Sequence, residues 1–198
     1  MTIEFYFDFS SPYGYFASFK AEELVEGTDA MVSWKPFLAA IAFRATGNKP
    51  LAEQPVKSDY CIHDWERLGR FMDVPWTLPN PFPIAALAAS RAYYWIEADD
   101  ADLAKHFARD VFDAYFGRGL DISSDGVVAD IASGLGIDPD DLRAAVKDPA
   151  VKERLKQETN TAIAKGVIGS PYFIVDGEGF WGSDRMWMIR RWIKRGGW

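Results

Sequence analysis

The sequence predicts an α/β fold: a small sheet built from the two ends of the chain, with a helical domain inserted after the first β-α-β unit. Three observations carry this. An apolar run alternating Ile3, Phe5, Phe7 and Phe9 with Glu4, Tyr6 and Asp8 opens the chain as a strand. Near the other end, Ser170 to Val175, an Asp176-Gly177 turn and Phe180-Trp181 read as a short hairpin. Between them, from about Ala39 to Asp148, the chain holds only helix and loop signals.

Each element has a local reason. Tyr6 is bulky enough to pack as well, so Ile3 to Phe9 fits the interior of a sheet. Pro12 stands where the first helical turn tolerates proline, and a helix from Tyr15 to Val25 should stop near Gly27. Met31 to Pro36 reads as a second, parallel strand, which completes a β-α-β unit. Pro83 precedes an Ala-rich helix, Ile84 to Ile96. Asp99-Asp100 caps the next, Leu103 to Phe116, which ends at Gly117 and Gly119. Asp125 starts a short helix through Leu135, and Asp138-Pro139 and Asp148-Pro149 each set a capping acid before a helix-starting proline. Gly182-Ser183-Asp184 should cap the last helix. The order resembles a thioredoxin-like fold interrupted by a helical domain, which predicts residues 1–38 and 149–198 as one unit and 39–148 as the insertion.

Composition narrows the function. At 198 residues and 48% hydrophobic content the chain can bury a substantial core. A formal charge of −7 argues against a nucleic-acid partner. The first residues show no targeting pattern and no apolar stretch is long enough to span a bilayer, so a soluble, cytoplasmic protein without a membrane partner is expected. The single cysteine, Cys61, cannot form an intramolecular disulfide, which agrees with a reducing compartment. Eight Trp and fourteen Phe serve either ordinary packing or a pocket for an aromatic ligand.

The run Phe9-Ser10-Ser11-Pro12-Tyr13-Gly14-Tyr15 lies where thioredoxin-like proteins keep their reactive sulfur. Ser11 takes the first cysteine position and Gly14 the second, so dithiol exchange has no sulfur pair here. Ser11 has two readings. As an N-cap its hydroxyl accepts from the first turn. As a functional group it donates to a thiolate held over the helix N-terminus, where dipole and N–H groups favour negative charge. Ser170-Pro171 is either edge-strand punctuation or the proline, cis in this fold, beside which Ser170 offers its backbone to an extended ligand. Ser183-Asp184 is either a cap or a clamp for an α-carboxylate and an α-ammonium.

Together these segments resemble the 2-hydroxychromene-2-carboxylate isomerase family, relatives of the kappa-class glutathione transferases. The match rests on Phe7 to Tyr15, Gly166-Val167-Ile168-Gly169-Ser170-Pro171 and Phe180-Trp181-Gly182-Ser183-Asp184-Arg185. In the middle it rests on Gly47-Asn48-Lys49-Pro50 with Lys57 nine residues past Asn48, and on Val74-Pro75-Trp76-Thr77-Leu78-Pro79-Asn80-Pro81. The resemblance implies a homodimer and glutathione as cofactor. Ser11 would hold its thiolate and Ser170 and Pro171 its cysteinyl backbone, with Ser183 and Asp184 at the γ-glutamyl end and Asn48 and Lys57 toward the glycyl end. It implies a substrate pocket including Tyr13, Trp76 and Asn80. The implied reaction converts 2-hydroxychromene-2-carboxylate to trans-o-hydroxybenzylidenepyruvate, a step in naphthalene breakdown, by reversible thiolate addition. Tyr172 and the Gly14-Tyr15 pair depart from the family's pattern and bear on the pocket's shape.

Two other readings follow from the same residues: a kappa-type transferase or peroxidase that consumes glutathione, and a non-catalytic module that binds peptides against Ser170-Pro171. Asp8 is either a buried acid with a raised pKa or an acceptor for nearby backbone N–H groups. His63 and His106 are too scattered for a metal site or a triad, and Cys61 reads as packing.

Overall fold

The structure, a computed structural model, describes residues 1–198. Four strands form one mixed sheet: β1 (Thr2–Phe7), β2 (Met31–Pro36), β3 (Tyr172–Val175) and β4 (Glu178–Trp181), in the spatial order β2-β1-β3-β4. β1 and β2 are parallel, with Phe5 opposite Trp34, and β3 runs antiparallel to both β1 and β4. β1 is therefore central and buried on both faces. Ile3, Phe5 and Phe7 enter the main core, while Tyr6 packs with Phe37, Ala42, Ala162 and Val167 on the other side. Phe5 stacks on Phe173 at 4.8 Å and meets the edge of Trp34 at 5.0 Å. Each such ring stabilises the fold by about 1.5–3 kcal/mol through burial.

Nine helices accompany the sheet: α1 (Pro12–Ser18), α2 (Ala39–Thr46), α3 (Lys57–Met72), α4 (Leu87–Glu97), α5 (Ala101–Phe112), α6 (Asp125–Ser133), α7 (Pro139–Ala145), α8 (Pro149–Ala164) and α9 (Met186–Arg195). Residues 39–164 thus contribute helices only. Asp100, Asp138 and Asp148 cap α5, α7 and α8, each carboxylate accepting from two first-turn N–H groups. Packing of α4 and α5 on the sheet makes one continuous core, in which Phe7, Tyr93 and Phe112 meet.

Several boundaries differ from the sequence expectation. β1 stops at Phe7 because Asp8 and Phe9 already turn toward α1. The helix expected over Tyr15 to Val25 is the short α1 followed by a separate 3₁₀ turn, Glu22–Val25. The Ser18 hydroxyl donates to the Tyr15 carbonyl at 2.6 Å and displaces the next i→i−4 bond. α4 starts at Leu87, not Ile84, since the Ile84 N–H goes to Ser10 Oγ at 3.0 Å. α5 widens into a π turn over Asp113–Gly117 before the glycines end it. Gly182-Ser183-Asp184 does not cap the last helix: Ser183–Arg185 forms a 3₁₀ turn, no side chain caps it, and α9 begins at Met186.

Candidate active site

Ser11 is the N-cap of α1. It has extended backbone angles, and its Oγ accepts the Gly14 N–H at 3.1 Å. The same hydroxyl donates to the Ser170 carbonyl at 3.0 Å. The N-cap reading of Ser11 is met, and the same oxygen points its proton across to the carbonyl of the opposite loop. Pro12 has no N–H and Gly14's is capped, so the Tyr13 N–H, which takes no acceptor within the chain, is the open donor of the first turn.

The opposite loop is Ser170-Pro171, joined by a cis peptide bond. Ser170 Oγ accepts the Asp8 N–H at 3.0 Å, its carbonyl accepts from Ser11, and its own N–H has no partner. Gly14 belongs to this geometry. A Cβ there would lie 2.9 Å from Ser170 Oγ and 3.2 Å from Ser11 Cβ, so a side chain at the second cysteine position would crowd the Ser170 hydroxyl and require it to turn from the Asp8 N–H.

Asp8 underlies both segments. Its carboxylate accepts the Ser10 N–H and the Ala39 N–H, each at 2.8 Å, and its carbonyl accepts the Ser11 N–H at 2.9 Å. Burial pushes its carboxyl up to about 6, against the two backbone N–H groups that favour the charged form. Both readings of Asp8 thus hold together.

The other expected site residues fall at different distances from this turn. Ser183 and Asp184 lie in the 3₁₀ turn that packs against α1. Ser183 is half-buried, while Asp184 is exposed and accepts from Arg185 at 2.6 Å. Tyr13, on α1, donates its hydroxyl to Asp64 of α3 at 2.9 Å, and its ring meets the edge of Trp65. Burial first, and Asp64 second, raise the Tyr13 phenol far above its ordinary range. Lys57 opens α3 and donates to Gln54, whose amide donates to the Lys49 carbonyl, so one exposed loop carries both Asn48 and Lys57. Asn48 makes no side-chain hydrogen bond. Trp76 is half-buried and stacks on Phe116 at 5.4 Å; it also lines a groove of about 540 Å³ with Arg70, Asp73 and Leu78. Asn80 is exposed and precedes Pro81 through a second cis bond; the Pro81 carbonyl accepts from Tyr115.

Two partners escaped the sequence reading. Asp64 holds the Tyr13 hydroxyl from 51 residues away, and no local pattern marks it. Ser10 is tied to Ile84 across 74 residues. The proline cluster from Pro79 to Pro83 was the one available sign that this segment is held in a fixed path.

A β-α-β unit, a capped turn at the head of α1 and a facing cis-proline define a thioredoxin-fold protein whose turn carries a hydroxyl in place of sulfur. The chain belongs to the DSBA-like thioredoxin domain family, whose model matches residues 2–194. Among curated proteins it is similar to a 2-hydroxychromene-2-carboxylate isomerase of Sphingobium xenophagum, 30% identical over 187 residues that cover 93% of this chain and 94% of the relative. It is also similar to a glutathione S-transferase kappa 1 of Caenorhabditis elegans, 26% identical over 199 residues, covering 94% and 88%. Among solved structures, a 2-hydroxychromene-2-carboxylate isomerase matches with a TM-score of 0.89 at 25% identity, covering 98% of this chain and 95% of that one. The expected fold and family stand, and the relatives' names agree with the expectation of an isomerase.

Proposed function

We propose that this protein is a glutathione-dependent cis–trans isomerase acting on 2-hydroxychromene-2-carboxylate or a similar polar aromatic. The observation that carries the reading is the Ser11 hydroxyl at the start of α1, bonded to the carbonyl of Ser170, whose own N–H is unpaired beside cis-Pro171, with no cysteine at either turn position. The residues fit a cysteinyl thiol and its backbone: the Ser170 amide is open, the Ser11 hydroxyl carries a proton that can turn, and the Tyr13 N–H of the first turn is free. When bound, glutathione supplies a nucleophilic thiolate whose reversible addition to a carbon–carbon double bond permits rotation about it.

The chain's own part is electrostatic. Turning the Ser11 proton from the Ser170 carbonyl to a charged sulfur exchanges a neutral hydrogen bond worth about 0.5–1.5 kcal/mol for a charge-assisted one worth about 1.5–3 kcal/mol. A net gain near 1.4 kcal/mol lowers a bound thiol's pKa by about one unit. Pro171 and Ser170 hold the cysteinyl backbone, Ser183 and Asp184 the γ-glutamyl end, and Asn48 and Lys57 the glycyl end. Asp184 would share its carboxylate between Arg185 and the incoming ammonium. Tyr13, Trp76 and Asn80 are assigned to the aromatic substrate. The reading includes residues 39–148 as the inserted domain, a cytoplasmic location and a homodimer, supported by the lone buried thiol of Cys61 and by the resemblance.

The test is the ultraviolet spectrum of 2-hydroxychromene-2-carboxylate mixed with the protein, with and without glutathione, while free thiol is counted. Conversion only with glutathione, and with no thiol consumed, supports the isomerase. Consumption of thiol moves the reading to a kappa-type transferase, which the similarity to the C. elegans protein favours as second choice. Absence of any spectral change overturns the substrate assignment.

A further inference from the structure

The exposed side of α9 carries a pattern that the reaction at Ser11 does not use. From Arg185 to Trp198 the chain has five cations, Arg185, Arg190, Arg191, Lys194 and Arg195, and no acid. The whole chain has a charge of −7, so the remaining residues carry −12 and this segment is a local reversal of sign. Helical spacing sorts it further. Met186 and Ile189 are buried, whereas Trp187, Arg191, Lys194, Arg195 and Trp198 are exposed. Within α9, Trp187, Arg191, Lys194 and Arg195 recur at i, i+4, i+7 and i+8, one stripe of a 3.6-residue period, and Trp198 follows the helix end past Gly196 and Gly197. Arg185 and Arg190 are neutralised by Asp184 and Glu26, while Arg191, Lys194 and Arg195 enter no ion pair.

Exposed aromatics flank these cations. Trp187 and Trp198 are each 63% exposed, and Trp181 on the neighbouring β4 is 53% exposed. Trp198 is fixed against the edge of Trp192 at 4.7 Å, so its outward position is held by packing. Three large rings left in water around unpaired cations mark a contact surface. We propose that this face of α9 docks on an anionic lipid surface, the tryptophans at headgroup depth and Arg191, Lys194 and Arg195 against the phosphates.

Charge and chemistry select this partner. An amphipathic indole favours the interfacial zone of a bilayer, and a cluster of cations beside it draws the patch to acidic headgroups. Screening limits the opposing field of the acidic remainder to a distance of about 8 Å at physiological salt, so the local patch governs the contact. Three unpaired cations provide few phosphate contacts for a nucleic-acid site, which commonly engages about 6–10. This surface contact departs from the sequence expectation of no membrane partner, which rested on the lack of a spanning segment. No helix is long and apolar enough to cross a membrane, and a docking face needs none.

Co-sedimentation of the full chain with phosphatidylcholine vesicles, with and without about one-third phosphatidylglycerol, tests the proposal at ~0.1 M salt and again at ~0.5 M salt. Expected are binding to the anionic vesicles alone, its loss at high salt and a blue shift of tryptophan emission on binding. The triple variant Arg191→Glu, Lys194→Glu, Arg195→Glu should lose at least about tenfold in partitioning, the cost of three reversed charges near the surface. The corresponding triple glutamine variant guards against an effect on the helix end, and Trp187→Ala with Trp198→Ala should weaken binding without changing turnover. No binding, equal binding to neutral vesicles or wild-type binding by the triple variants overturns the proposal. Displacement from vesicles by duplex DNA, bound more tightly, would overturn it in favour of nucleic acid. A smaller solution mass for the charge-reversed protein would reassign the face to self-association.

Discussion

Ser11→Ala removes one oxygen that serves two hydrogen bonds, and the two losses are read by different instruments. Losing the acceptor of the Gly14 N–H costs the cap of α1, about 1 kcal/mol. In a chain of this size that corresponds to a melting shift of roughly 2–4 °C. Losing the donor now aimed at the Ser170 carbonyl removes the group assigned to the thiolate, worth about 1.5–3 kcal/mol for a charged acceptor. Net of the neutral bond to Ser170 that it replaces, about 1.4 kcal/mol, this predicts a turnover lower by about tenfold or more with glutathione present. The assay is initial rate with 2-hydroxychromene-2-carboxylate, paired with the thiolate absorbance of bound glutathione titrated against pH. In Ser11→Ala the bound thiol should ionise at higher pH, whereas Ser11→Thr, which keeps the hydroxyl, should restore most of both. Turnover within twofold of wild type alongside the expected melting shift would refute the reasoning and leave Ser11 a cap only.

The remaining predictions concern its neighbours. Asp8 has its folded-state pKa raised from 3.8 to about 6, so its contribution to stability is fully present below about pH 4 and is lost as pH rises through 6. The span corresponds to at most about 3 kcal/mol. Asp8→Asn should flatten that slope in chemical denaturation between pH 4 and 6 while costing about 1–3 kcal/mol for one orphaned N–H; an unchanged slope would show that Asp8 does not titrate there. Gly14→Ala should push against Ser170 Oγ and Ser11, lowering glutathione affinity more than stability, as calorimetry and melting would reveal. Asp184 is exposed and caps nothing, so Asp184→Asn should weaken glutathione binding by about tenfold with little change in melting temperature, the loss of one charge-assisted contact. A melting loss without ligand as large as the binding loss would point to a structural role.

The reach of sequence reasoning here followed the range of the interactions. β2 was legible to the residue because its signal, Met31 to Pro36 bounded by turn residues, is local. The acid-proline starts of α7 and α8 were legible for the same reason, since a cap and its acceptors lie within three residues. The last-helix start failed because Ser183 and Asp184 look like caps by type, yet the chain needs a 3₁₀ turn there to pass from β4 back onto α1. Likewise Ile84 reads as helix, and only Ser10, 74 residues earlier, takes the N–H that keeps it outside α4.

The site divides along the same line. Sequence by itself determined the chemistry available: a hydroxyl where thioredoxin-like proteins hold sulfur, a glycine at the second position, a proline at the start of the third strand, and one cysteine for the whole chain. Those are facts of residue type, independent of contact. Only the tertiary structure decided that Ser11 donates to Ser170, that the Ser170 amide is left open and that a Cβ at Gly14 would crowd the Ser170 hydroxyl. It also decided that Asp8 braces both segments and that α9 turns a cationic stripe outward. The physical reason is that hydrogen bonds and burial are set by distance in space, and the antiparallel pairing of β1 with β3 is what brings residue 170 to residue 11.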